Sequence, residues 1–263
     1  MDWGYKAMLT MVAVALVLLI AQAVGRRAAG ILAGLPIITA PALLWVASEH
    51  GTVFAARTAV GSIAACGLMA VFALVYERAS RRRGPIITLA LSLCAAAAVA
   101  APVAAWAESP LRAIVFAVVS CALVSMLLPA HRASVAPMGR QHGQIVRTAV
   151  AAGAVSVTAA VAAGALGPFW TGVLAALPII SGAALVHQHL TASHHDIQRF
   201  LRGYVAGLFG KALFAVTFAL LIVQVGEIGA VALAIAAGLA ASLGAVRGLG
   251  WIEQRPGIVR AEA

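Results

Sequence analysis

A chain of 263 residues that is 63% hydrophobic and only 10% charged has more apolar surface than a soluble domain buries, because soluble domains are about 45–50% apolar and about 25% charged. The net charge of +10 does not indicate nucleic-acid binding, since the basic residues cluster in short loops between apolar runs, where they set membrane topology. The apolar runs are continuous, whereas a membrane β-barrel shows alternating segments of about ten residues. We therefore expect an all-α polytopic membrane protein without a nucleic-acid partner.

About nine transmembrane helices are predicted, because a run of about 20 apolar residues spans a bilayer as an α-helix. In chain order the runs cover 6–24, 28–48, 55–76, 85–106, 111–129, 145–166, 169–189, 200–223 and 228–246. The first run, with Lys6 at its start, resembles a signal peptide. It is long enough to span the membrane, however, so we retain it as the first transmembrane helix.

The basic residues follow the odd-numbered runs, and the loops after the even-numbered runs are nearly free of them. Clear cases are ERASRRR at 77–83 and HHDIQRFLR at 194–202. Cytoplasmic loops carry the excess of Lys and Arg, which places the N-terminus outside and the C-terminus in the cytoplasm. We expect a multi-pass protein of the bacterial inner (cytoplasmic) membrane.

The chain contains a repeat at a constant offset of 142 residues. The segment GILAGLPIITAPALL at 30–44 returns at 172–186 as GVLAALPIISGAALV, with nine identical residues, and Gly61 falls on Gly203. Five membrane crossings separate equivalent helices, and this odd number inverts one half relative to the other, as in many secondary transporters. Chance similarity between two Ala- and Leu-rich helices is the alternative.

The repeat predicts two inverted-topology four-helix repeats joined by a linker helix. The regions are a first membrane repeat at 1–108, a linker helix with a basic cytoplasmic loop at 109–143, a second repeat at 144–248 and a cytoplasmic tail at 249–263. The three cysteines lie far apart in separate apolar runs without the spacing of metal ligands. We expect no disulfide framework, no metal and no cofactor.

Each copy of the repeated segment carries a proline inside an apolar run, Pro36 in one and Pro178 in the other. Proline removes a backbone donor and breaks a helix, and a broken backbone at membrane depth survives only where it is buried in protein or lines a cavity. Counted at about 1.5 Å per residue, both breaks lie near the midplane. With Thr39 and Ser181 beside them, we predict a substrate-binding site whose freed amides favour an anion or a polar headgroup. The alternative is two simple kinks in which the hydroxyls bond freed carbonyls.

Lys211 is the third feature of the predicted site, because it lies eleven residues into the run at 200–223. A charge at that depth is a functional candidate by default. Its equivalent in the first half is Met69, and no carboxylate lies at comparable depth. The alternative is a structural lysine bonded to backbone carbonyls.

Three further residues are candidates for proton coupling: His187, Glu49 and His50. Histidine changes its charge near neutral pH, and His187 follows Ser181 by about one and a half turns. The Glu49–His50 pair forms either a proton relay or an ordinary helix terminus. The surrounding HQHLTASHHD segment at 187–196 is interpreted as a solvated loop rather than a metal site.

The function that these features favour is secondary transport of a small anionic or zwitterionic solute, since no Walker motif for ATP is present. The alternative is a non-transporting scaffold or assembly factor for envelope biogenesis. An enzyme acting on lipids needs converging acid and base groups, and no deep carboxylate pair exists, so we expect no enzymatic activity. The lipid bilayer and the solute are the expected partners, while coupling to protons or Na+ and assembly into a homodimer stay open.

The first half resembles the GlpM-type small four-helix inner-membrane proteins. The resemblance rests on AGILAGLPIITAPALL at 29–44 and SEHGTVFAARTAVG at 48–61, and it covers roughly residues 6–75. It implies a fused duplicate of such a protein, with the fifth helix added to invert one copy. Because the activity of that family is poorly defined, the resemblance bears on architecture more than on function.

Overall fold

The structure, a computed structural model, describes residues 3–22, 31, 35–107, 109–129, 142–176 and 178–253. Across these ranges the fold is all-helical, with 91% helix and no strand. Residues 130–141 of the predicted linker region 109–143, residues 254–263 of the predicted tail 249–263, and the residues Arg26, Arg27, Gly34 and Glu108 lie outside the described residues. The all-α prediction is confirmed.

The described ranges contain the following helices in chain order. They are α1 (Trp3–Gln22), α2 (Thr39–His50), α3 (Thr52–Ala79), α4 (Pro85–Trp106), α5 (Pro110–Leu127), α6 (His142–Ala175), α7 (Ile179–Thr191) and α8 (His194–Glu253). Five stretches in the described part are long and apolar enough to cross a membrane: Thr52–Ala79, Pro85–Trp106, Pro110–Leu127, Val157–Ala175 and His194–Ala245. They suit a membrane-embedded protein, and the count of nine spans stays a prediction.

Two of the long helices each consist of two pieces. The chain leaves helical geometry at Gly167 in α6 (φ 73°, ψ 166°) and at Gly226 in α8 (φ 74°, ψ 178°). Glycine adopts positive φ without the steric cost that a Cβ imposes. Both turns fall where the sequence predicts a short loop between apolar runs.

Helix α3 lies at the centre of the fold. It packs against α2, α4, α5, α6 and α8, and every residue at 61–70 is buried. Most of these residues are small, which lets neighbouring backbones approach closely. By contrast, α4 and α5 expose large apolar side chains such as Ile86 and Leu111, as expected of helices that face lipid.

The closest backbone approach joins α3 to the C-terminal piece of α6. A Cβ added at Gly61 would lie 2.0 Å from the Phe169 carbonyl oxygen, and one at Gly172 would lie 2.0 Å from that of Thr58. Ser62 Oγ also donates to the Gly172 carbonyl oxygen at 3.1 Å. These contacts fix the height at which α6 ends against α3, and therefore the position of the second proline break.

Candidate functional site

Both predicted proline breaks precede a helix in the structure. Around Pro36 the chain is non-helical at 35–38, and α2 begins at Thr39. Pro178 has φ −80° and ψ 53°, and α7 begins directly after it. Both prolines are buried, so each break is enclosed by protein, as a broken backbone at membrane depth requires.

Two side chains form hydrogen bonds with the end of α6, directly before the second break. One comes from beside the first break and the other from α8. Thr39 Oγ1 donates to the Ala175 carbonyl oxygen at 3.2 Å, and Lys211 Nζ donates to the Ala176 carbonyl oxygen at 3.2 Å. The last carbonyls of a helix lack intrahelical partners and carry the negative end of its dipole. A hydroxyl from the first break and an amine from α8 therefore complete the end of α6, although these residues are far apart in sequence.

Lys211 is only 7% exposed, and Thr39 is 1% exposed. The bond from Lys211 to a backbone carbonyl fits the interpretation of a structural lysine. It equally fits a cation placed beside a polar site, because an ammonium has three donors and this contact uses one of them. No described carboxylate acts on the Lys211 amine.

Ser181, on the first turn of α7, is buried, and its Oγ makes no hydrogen bond to the described part of the chain. The hydroxyl of Tyr204 lies near enough to interact with that of Ser181, although the pair does not reach the geometry of a full hydrogen bond. Tyr204 and Lys211 are seven residues apart on α8, which places them on one face at about 10.5 Å along the axis. Tyr204 is not among the residues predicted from the sequence, and its spacing from Lys211 is the signal that points to it.

Cys66 of α3 is a further buried polar residue close to Tyr204 and Lys211. It is buried, its Sγ donates to the Ser62 carbonyl oxygen at 3.3 Å, and it lies within electrostatic range of Tyr204 and Lys211. We use the name central polar cluster for five residues: Thr39, Cys66, Ser181, Tyr204 and Lys211. Four of the helices that surround the breaks, namely α2, α3, α7 and α8, thus supply polar side chains to one buried region.

The three proton-coupling candidates lie apart from this cluster. Glu49 and His50 end α2, and the His50 ring Nε2 lies 2.9 Å from the Ala160 carbonyl oxygen. His187 lies midway along α7, with its Nε2 3.2 Å from Thr191 Oγ1. The His50 contact joins the end of α2 to α6, and the His187 contact lies within α7. A role in proton coupling stays a prediction.

A second buried lysine holds α1 against α2. Lys6 is 1% exposed and pairs with Glu49, and its Nζ lies 4.6 Å from the ring centroid of Trp3. Beside it, Trp45 Nε1 donates to Thr10 Oγ1 at 3.1 Å. The Glu49 carboxyl follows the apolar run of α2, and the hydrogen bond from Lys6 lowers its pKa below the usual value. From the sequence alone, Lys6 is recognised only as the start of the first run.

A buried carboxylate joins the C-terminal end of α3 to the start of α8. Glu77 accepts hydrogen bonds from Arg81 Nη2 at 2.7 Å and from Gln198 Nε2 at 2.8 Å, and His194 Nε2 lies 3.6 Å away. Both segments are predicted from the sequence as basic loops, and this contact is not predicted. It brings together two stretches that were each predicted to be cytoplasmic.

No family model matches the chain, and comparisons with curated proteins and with solved structures find no match. The resemblance of the first half to GlpM-type proteins therefore stays a prediction. Among the described residues, no group of three His, Cys, Asp or Glu side chains is placed to hold a metal. The central polar cluster is the feature of the structure on which a functional proposal can rest.

Proposed function

We propose that the chain is a secondary transporter of a small anionic or zwitterionic solute, and that the central polar cluster with Pro36 and Pro178 is its binding site. The observation that carries this proposal is the buried Lys211 amine at the place where the two proline breaks meet. A buried charge without a partner is costly in lipid, at least about 2.5–3.5 kcal/mol on insertion scales. An anion beside Lys211 would supply the missing negative charge.

We further propose the inverted-repeat architecture with nine spans. Several helix boundaries coincide at the offset of 142 residues. Thr52, the first residue of α3, and His194, the first residue of α8, are separated by this offset. The same offset separates Gly84, which precedes α4, from Gly226, where α8 leaves helical geometry. In such transporters, the halves rock around a site at their interface and open it to each side in turn.

The proposed orientation has the N-terminus outside and the C-terminus in the cytoplasm of a bacterial inner membrane. The contact between Glu77 and Gln198 supports it, since the basic segments 77–83 and 194–202 then lie at one end of the molecule. Positive residues at a common end are typical of the cytoplasmic side.

A non-transporting membrane scaffold is the second candidate, and one observation favours it. The two breaks are packed against each other, with Ala42 and Ala175 buried in one apolar cluster, and the Lys211 amine is bonded inside the protein. These contacts stabilise the fold whether or not a solute binds, and a stable fold is all that a scaffold requires. Only transport distinguishes the two functions.

The experiment is uptake of labelled solutes into proteoliposomes that contain the purified full chain. The panel consists of acetate, lactate, chloride, phosphate and glycine. We expect uptake of at least one of them by the wild type and its loss in Lys211→Met, which copies the equivalent residue Met69. The matched control is Arg82→Met, which removes an exposed charge away from the site and should retain uptake. Uptake by Lys211→Met at the wild-type rate, or none by the folded wild type, would overturn the proposal in favour of the scaffold.

A further inference from the structure

The central polar cluster contains one charged group. Lys211 is the only cation in it, and no described carboxylate acts on the amine. The other buried cation of a spanning segment, Lys6, is already paired with Glu49 at the end of α2. With its amine protonated, Lys211 therefore offers a bound solute a single positive charge.

The cluster offers hydrogen-bond donors and contains no carboxylate. The Lys211 amine has donors beyond the one used on Ala176, and the Ser181 hydroxyl, which lies beside that of Tyr204, makes no full hydrogen bond within the described part of the chain. The two carbonyls at the end of α6 already accept from Lys211 and Thr39. Carboxylate oxygens are acceptors only, whereas an ammonium is a donor only. The set fits a carboxylate and offers an ammonium no negative charge.

We infer that the site selects solutes with one negative charge, of the small monocarboxylate class, and rejects both dianions and zwitterions. This inference rests on the proposed transporter function and narrows its substrate class. A monoanion and Lys211 together leave no net charge in the buried region. A dianion leaves one negative charge uncompensated, and a zwitterion leaves one positive charge uncompensated. A buried charge without a partner is strongly disfavoured.

The test is calorimetric titration of the purified full chain with three solutes of three carbons each: propionate, malonate and alanine, at a pH where malonate is a dianion. We expect propionate to bind with a Kd at least tenfold below those of malonate and alanine, which corresponds to about 1.4 kcal/mol. Lys211→Met should lose propionate binding. Ser181→Ala, which removes one donor from the first turn of α7, should raise the Kd for propionate.

The possible results separate the two claims. Binding of malonate or alanine as tight as that of propionate overturns the selectivity for monoanions and leaves the transporter proposal standing. Binding of none of the three also overturns this inference, and the uptake panel then decides the transporter proposal by itself. Should Lys211→Met fail to fold, the Ser181→Ala titration still tests the site, and an unchanged propionate Kd would contradict it.

Discussion

Replacing Gly61 by alanine is expected to force α3 and the C-terminal piece of α6 apart. The new Cβ would lie 2.0 Å from the Phe169 carbonyl oxygen and 2.8 Å from its carbonyl carbon. Both belong to backbone, so no side chain can rotate away. The two helices must separate by at least about 1.4 Å, from 2.0 Å to the 3.4 Å at which ordinary contact begins. Overpacking of this kind costs about 1–3 kcal/mol, and the gain of about 1 kcal/mol in helix propensity from Gly to Ala offsets only part of it.

The displacement should also reach the site, because the shifted segment ends at Ala175 and Ala176, whose carbonyls accept from Thr39 and Lys211. Thermal unfolding in detergent, followed by circular dichroism, measures the first effect, and propionate titration measures the second. Gly244→Ala is the matched control, since Gly244 also lies inside a helix but has nothing within 4 Å of its added Cβ. Equal unfolding midpoints for the two variants would refute the reasoning.

The remaining predictions concern the breaks, the lysine pair and the topology. The Pro36→Ala, Pro178→Ala double variant should insert normally but lose solute uptake in proteoliposomes, since continuous helices consume the free amides; retained uptake would reduce both prolines to kinks. Glu49→Gln should lower the unfolding midpoint more than Lys6→Met does. It leaves a lysine that is 1% exposed without its ion-pair partner, whereas Lys6→Met leaves a glutamate that is 33% exposed and can be hydrated. The reverse order would show that Lys6 does not depend on its partner. A reporter fused at Gly167 should read outside, and a cytoplasmic reading there would remove the inversion of the halves.

The sequence could predict the breaks and turns because their signals are local. Proline cannot continue a helix, and the structure begins helices directly after the segments around Pro36 and Pro178. The turns at Gly167 and Gly226 follow from the length of the apolar runs and from the freedom of glycine. Run length and residue type are sufficient for such features, whatever the helices pack against.

The partners of the charged residues could not be predicted, because they depend on which helix ends meet in space. Lys6 and Glu77 lie at the ends of apolar runs and look like interfacial charges, yet both are buried, through Glu49 in one case and through Arg81 and Gln198 in the other. Nothing in a single run indicates that a distant segment supplies the partner. The geometry of the site depends in the same way on tertiary contacts between helix ends.

The central claim is that a solute anion binds at Lys211, and the chain permits a direct measurement because it contains only two lysines, Lys6 and Lys211. Protein labelled with ¹⁵N at both lysine amines gives two signals in solid-state NMR, and Lys211→Met assigns them. With propionate labelled with ¹³C at its carboxyl, we predict dephasing of the Lys211 signal that corresponds to about 4 Å, the distance of an ion pair, and no change at Lys6. An unchanged Lys211 signal at saturating propionate, or dephasing at Lys6 alone, would contradict the account.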